Sequence, residues 1–204
     1  MITKEVGENL FKRIIVITGT PGVGKTAVSK RVAAELDARV IHLGELIRKE
    51  KLYSEVDEER DTLVADVEKV SERVKEIIDE SCRDVIVEGH FAVDVIPPNV
   101  ISKVFVLRRH PEDLKIILEK RGYRERKVWE NVAAEILDVC LYEAVRVCGV
   151  EKVCEIDVTN RGIDKIVSEI LSILNGQGNC KIGKVDWLGR LEAEGKLDEY
   201  LRHF

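Results

Sequence analysis

The segment Gly19-Thr20-Pro21-Gly22-Val23-Gly24-Lys25-Thr26 decides how this chain must begin to fold. It follows a β-rich apolar run, Arg13-Ile14-Ile15-Val16-Ile17-Thr18, and precedes a stretch where Val28, Val32, Ala33 and Leu36 fall at helical spacing. The run is apolar on both faces, as a buried parallel strand requires, and the stripe marks a helix with one buried side. Strand, glycine-rich loop and helix in that order give the pattern G-x-x-x-x-G-K-[ST] its physical meaning. The glycines let successive backbone N–H groups turn around an anion at a helix N-terminus, where dipole and unpaired donors both favour negative charge. The loop and first helical turn, Gly22, Val23, Gly24, Lys25, Thr26 and Ala27, are therefore expected to bind a nucleoside triphosphate. Lys25 would reach the β- and γ-phosphates, and the Thr26 hydroxyl would ligate Mg²⁺.

At 204 residues the chain suits one α/β domain with small insertions rather than two domains. Many Val and Ile and few aromatics fit a parallel sheet covered by aliphatic helices. A net charge of −5 argues against wholesale coating of nucleic acid and leaves room for a local basic patch. Cys82, Cys140, Cys148, Cys154 and Cys180 show no metal-type spacing, and most lie in apolar stretches, which predicts buried thiols in a reducing compartment. The polar start, Met1 to Lys12, has no apolar signal region, and no run is long enough to span a membrane. These features together predict a cytoplasmic protein with no membrane partner.

Alternation of strands and helices continues along the chain. Residues 38–43 read as a second strand, and the heavily charged 44–62 as a mobile, solvated excursion. Leu63, Val67, Val70, Val74 and Ile77 predict an amphipathic helix, and residues 84–89 a strand ending in Glu88 and Gly89. Lys103 to Leu107 is another strand, and Pro111 opens a helix that stops at Gly122. A long helix is expected from about Val128 to Cys148, then a strand from Val153 to Thr159 and a helix from Ile163 to Leu174. Gly176-Gln177-Gly178-Asn179 breaks the pattern. Beyond it, Trp187, Leu188, Leu191, Leu197 and Leu201 suggest two short helical turns split by Gly195, docking on the core or on a partner. The whole predicts a P-loop NTPase fold: a doubly wound, parallel, five-stranded sheet with helices on both faces.

Phosphate-loop proteins differ in chemistry, so other residues must choose among them. The guanine-reading Asn-Lys-x-Asp of GTPases is absent. Glu88 ends a strand where a carboxylate could reach Mg²⁺ through water, and His90 could orient a water or a phosphate there, or serve only as a polar turn residue. Lys120 to Lys127 is the densest basic stretch, and Arg121, Arg124 and Arg126 suit a lid that neutralises transferring phosphate and excludes water, or else a solvated helix end. Arg48, after Leu43-Gly44-Glu45-Leu46-Ile47, stands where an acceptor phosphate could be held, and equally where a charged surface helix would place it. The loop Val158-Thr159-Asn160-Arg161 closes the last strand, where an adenine could rest.

These motifs resemble the adenylate kinase isoenzyme 6 family: the phosphate loop, Leu43-Gly44-Glu45 with Arg48, Val87-Glu88-Gly89-His90, and Arg121-Gly122-Tyr123 with Lys127. The likeness spans roughly residues 13–174, and the closing Gly183 to Leu188 is similar to the tail of archaeal members. The resemblance implies residues 1–175 as a nucleoside monophosphate kinase-like domain, with an NMP-binding insertion at 43–66 and a lid at 120–130, and 176–204 as a helical tail. It implies ATP as the nucleotide of the loop, catalytic roles for Lys25, Glu88, His90 and Arg121, ATP contact by Arg121, and NMP contact by Gly44, Glu45 and Arg48. It further implies phosphoryl transfer from ATP to AMP or another NMP, ATP hydrolysis, and a part in late small-ribosomal-subunit maturation (rRNA 3′-end processing in pre-30S particles) through protein uS11. Two departures stand out: Ala27 replaces a frequent hydroxyl residue, and Glu88 replaces a frequent Asp. A small-metabolite kinase of the shikimate or gluconate type shares the expected architecture.

Overall fold

The computed structural model describes residues 12–57 and 62–203. The polar start before Lys12, the charges Glu58, Glu59, Arg60 and Asp61, and Phe204 lie outside the described residues.

Strand β1 (Ile14–Thr18) runs into the phosphate loop and helix α1 (Lys25–Leu36). Next come β2 (Arg39–His42), α2 (Leu43–Glu50), a hairpin of β3 (Tyr53–Asp57) and β4 (Thr62–Ala65), and α3 (Val67–Glu80). The chain continues through β5 (Val85–Glu88), β6 (Lys103–Arg108), α4 (Pro111–Lys120), α5 (Glu125–Ile136) and α6 (Val139–Cys148). It closes with β7 (Val153–Asp157), α7 (Ile163–Leu174), α8 (Trp187–Ala193) and α9 (Leu197–Leu201). Five strands form one parallel sheet in the order β2-β5-β1-β6-β7. This is the expected doubly wound P-loop architecture.

Period-two alternation divides the core between the sheet's two faces. Ile15 and Ile17 pack with α1, α4, α5 and α7, while Ile14 and Val16 pack with α2, α3 and α6. Burial on both faces explains why β1 is apolar at every position. No helix among the described residues is long and apolar enough to cross a membrane.

Four expectations need correction. The segment after β2 forms α2 and, on either side of residues 58–61, strands β3 and β4, because Leu43 and Ile47 suffice to bury one side of a short helix while its charges face out. Leu63 belongs to β4, opposite Val56, and α3 begins only at Val67, with Asp66 capping the Lys69 N–H. The long helix expected at 128–148 is two helices, parted at Asp138, whose φ of 58° no helix accommodates. Cys154 and Cys180 are joined in a disulfide, whereas Cys82, Cys140 and Cys148 are free. The segment before the tail runs beside β7, where the Glu155 N–H donates to the Lys181 carbonyl, and this brings together two cysteines 26 residues apart. The tail beyond it seats Val185, Trp187, Leu191 and Tyr200 in the core on the α5 side of the sheet.

Candidate active site

Parallel pairing sets Ile17 beside Glu88 and His42 beside Glu88, so β1, β5 and β2 present one row at their carboxyl ends. That edge is where ligands collect in open α/β sheets. The phosphate loop leaves β1 there and reaches α1 through Gly24, at φ 108° in a region that strains any L side chain. Gly22 is needed for packing as well: a Cβ on it would lie 2.7 Å from Leu114 Cδ1 of α4.

Lys25 Nζ donates to the carbonyls of Gly19 (2.8 Å) and Thr20 (3.1 Å). Its ammonium is almost fully buried, and this burial holds its pKa below the ordinary lysine value, although Glu88 partly offsets the shift. Thr26 Oγ1 donates to Glu88 Oε2 at 3.2 Å, and His42 Nδ1 lies 2.8 Å from the same oxygen. A carboxylate can only accept, so His42 carries its proton on Nδ1. Thr26 itself is exposed, facing the open side of the loop.

His90 follows β5 as an exposed residue within electrostatic reach of Lys25 and Lys127. Burial first, and then those two cations, push its pKa down to about 4, so the ring is neutral at pH 7. The Thr18 hydroxyl anchors the His90 carbonyl at 3.2 Å. Arg121 caps the C-terminus of α4 close enough to depress the Lys25 pKa further. Lys127, at the start of α5, donates to the Thr62 hydroxyl of β4, so the basic segment reaches the hairpin.

Of the residues singled out in the sequence, Lys25, Thr26, Glu88, His90 and Arg121 gather around the loop. Ala27 is exposed on the first turn of α1, and Val23 is buried beneath the loop. Gly44, Glu45 and Arg48 lie exposed on α2, directly after His42. Thr159 Oγ1 accepts from the His110 N–H, and Asn160 adopts φ 52°, in the loop that ends β7.

Sequence reasoning missed His42, Arg109 and Glu135. Arg109 spans the loop from outside, donating to the Val23 carbonyl at 3.3 Å. Glu135 accepts a hydrogen bond from Thr20 Oγ1 at 2.5 Å. The sequence held a signal for His42, a strand-ending His after Val40-Ile41, and one for Glu135, a lone acid within the apolar face of α5, but none for Arg109.

A family profile described as an AAA domain matches residues 15–138. A "Putative adenylate kinase" of Methanocaldococcus jannaschii is 46% identical over 85% of this chain and 92% of its own length. Proteins of the same name from Methanosarcina barkeri (42%; 86% of this chain, 97% of theirs) and Saccharolobus islandicus (37%; 91% and 93%) are similar too. Among solved structures, shikimate kinase from Bacteroides thetaiotaomicron superposes with a TM-score of 0.56 at 20% identity, covering 80% of this chain and 98% of its own, which is a likeness of fold alone. With strand, phosphate loop and match over most of its length in agreement, the chain belongs to the AAA domain family, among its adenylate kinase-like members.

Proposed function

We propose that this protein is a nucleoside monophosphate kinase of the adenylate kinase isoenzyme 6 type, moving the γ-phosphoryl group of ATP to AMP or another NMP. The observation that carries this reading is the meeting of Lys25, Thr26 and Glu88 at the carboxyl end of β1, with His90 and Arg121 beside them. Loop amides and Lys25 would hold the polyphosphate, and Arg121 would neutralise charge on the moving group. An acceptor phosphate oxygen then forms the new P–O bond as the β–γ bridging bond breaks, and the electron pair leaves on ADP. Positioning and charge neutralisation suffice, with no covalent enzyme intermediate.

Magnesium suits the donor set, since the Thr26 hydroxyl and the Glu88 carboxylate are hard oxygen ligands 3.2 Å apart. Thr26 would bind it directly and Glu88 through water; bound magnesium would neutralise charge on the β- and γ-oxygens. His90, neutral at pH 7, would orient an acceptor oxygen or a water by hydrogen bonding. Gly44, Glu45 and Arg48 would receive the monophosphate, and the 158–161 loop the adenine.

ADP formation from Mg·ATP across a panel of monophosphates, beside a hydrolysis control, tests this reading. AMP-dependent ADP well above that control is expected; hydrolysis alone would leave an ATPase, and phosphate transfer only to shikimate or gluconate would move the protein to the small-metabolite kinases. The proposed ribosome-maturation role rests on the motif likeness, and pull-down of uS11 with and without ATP tests it: nucleotide-sensitive capture is expected, and no capture in either state would remove it.

A further inference from the structure

Behind the phosphate loop lies a charge cluster that the proposed chemistry does not use. Two carboxylates, Glu135 and Glu155, are 1% and 0% exposed and share one buried cation, Arg108. Arg108 Nε donates to Glu135 Oε1 at 2.9 Å and Nη1 to Glu155 Oε1 at 2.7 Å, while Nη2 bonds the Glu135 carbonyl and the half-exposed Asp138. One guanidinium cannot offset two desolvated carboxylates, so their remaining lone pairs need N–H donors. The C-terminal tail brings three. Trp187 Nε1 donates to Glu135 Oε1 at 3.1 Å, and the backbone N–H groups of Lys184 and Val185 donate to Glu155 Oε2 at 2.7 and 3.4 Å. Together with Arg108 Nε and the Arg109 N–H, the indole saturates Glu135 Oε1. Its other oxygen, Oε2, accepts the Thr20 hydroxyl, and the Thr20 carbonyl in turn accepts from Lys25.

We propose that Glu135 is a positioning residue for the phosphate loop, and that the tail sets its position through Trp187. The inference rests on the phosphate-loop reading above. The indole holds one carboxylate oxygen, which turns the other towards Thr20; Thr20 then fixes the stretch of loop on which Lys25 rests. Removing the indole N–H leaves Arg108 and the Arg109 N–H to orient the carboxylate alone, and the loop loses part of its anchorage. Trp187 acts here without touching a phosphate, because the contact passes through a side chain that both ends share. The tail thereby becomes part of the nucleotide site's scaffold, and a partner that lifted it would loosen the loop.

The test uses the full chain with Trp187→Phe, Thr20→Val and the two combined. Phenylalanine removes the donor and leaves a smaller aromatic ring in the buried position beside His110, so Thr20→Val, which leaves the tail packing untouched, is the control for the volume lost with the indole. Each single change should raise the KM for ATP about tenfold with a smaller effect on kcat, as loss of one hydrogen bond to a charged group implies. The double variant should be no worse than the worse single, because both act on the one carboxylate. In the nucleotide-free protein, amides of residues 19–26 should exchange faster in Trp187→Phe, with those of α7 unchanged. Thr20→Ser, which keeps the hydroxyl, should restore the KM and so keeps the test open should Trp187→Phe not fold. Multiplying effects in the double variant, unchanged loop exchange in Trp187→Phe, or equal loss in Thr20→Ser and Thr20→Val would each overturn the inference. If the wild-type protein made no AMP-dependent ADP, the kinase reading would fall, while the exchange measurement would still decide the coupling of tail to loop.

Discussion

Two carboxylates bond threonines of the same loop, and their settings differ. Glu88, on the β5 side, bonds Thr26, and among the described residues its side-chain hydrogen bonds, from Thr26 and His42, fall on one oxygen. Glu135, on the β6 side, bonds Thr20 and accepts from four donors spread over both oxygens. Glu88 ends a strand at the edge where ligands collect; Glu135 is sealed beneath helices and the tail. A carboxylate with lone pairs to spare can exchange partners as a ligand arrives, whereas a saturated one in low dielectric holds its surroundings still. Charge at the rim of this site is therefore suited to chemistry, and charge behind it to rigidity.

Several substitutions would break or sharpen that contrast. Lys25→Met should lower turnover by about 100-fold or more, since it deletes the charge proposed to face the transferring group. Its unfolding midpoint should stay level or rise, because an ammonium held in burial no longer has to be desolvated; a large fall in midpoint would place Lys25 with the structural charges instead. Arg108→Leu should do the reverse, lowering stability by about 3–5 kcal/mol in chemical denaturation by stranding two buried carboxylates. Glu88→Gln should reduce turnover roughly tenfold, with stability within about 1 kcal/mol of wild type. Loss of folding in that variant would erase the distinction between the two acids.

The smallest effect concerns pH. Folding holds the His90 pKa near 4, against an ordinary value of 6.5, so between those values the unfolded chain binds the extra proton. The stability contributed is fully present above pH 6.5 and is lost as pH falls towards 4. Between pH 7 and 4.5 the wild-type melting temperature should therefore drop more than that of His90→Asn. Equal slopes would show that folding does not lower the His90 pKa.

The sheet was legible because its signals are local. Five apolar runs with helical stripes between them specify a parallel layer whatever the rest of the chain does, and the loop pattern says which strand leads to the site. In residues 44–62 charge density rightly suggested solvation, since β3–β4 is mostly exposed, but it hid the secondary structure: α2 needs only Leu43 and Ile47 to dock. The break at Asp138 was hidden because apolar spacing carries on through it; what stops the helix is one positive φ, with the Asp138 carboxylate taken by Arg108. His42, Glu135 and the Cys154–Cys180 pair depend on contacts across 46, 115 and 26 residues, a distance over which no spacing rule operates.

The central claim is that the loop between β1 and α1 grips a magnesium-bound polyphosphate with Lys25. Isothermal titration of the folded wild-type protein and of Lys25→Met with Mg·ATP tests it most directly. Saturable one-to-one binding by the wild type, weakened without magnesium and abolished in the variant, is the expected result. No heat of binding from folded wild-type protein, or equal affinity in the two, would contradict it.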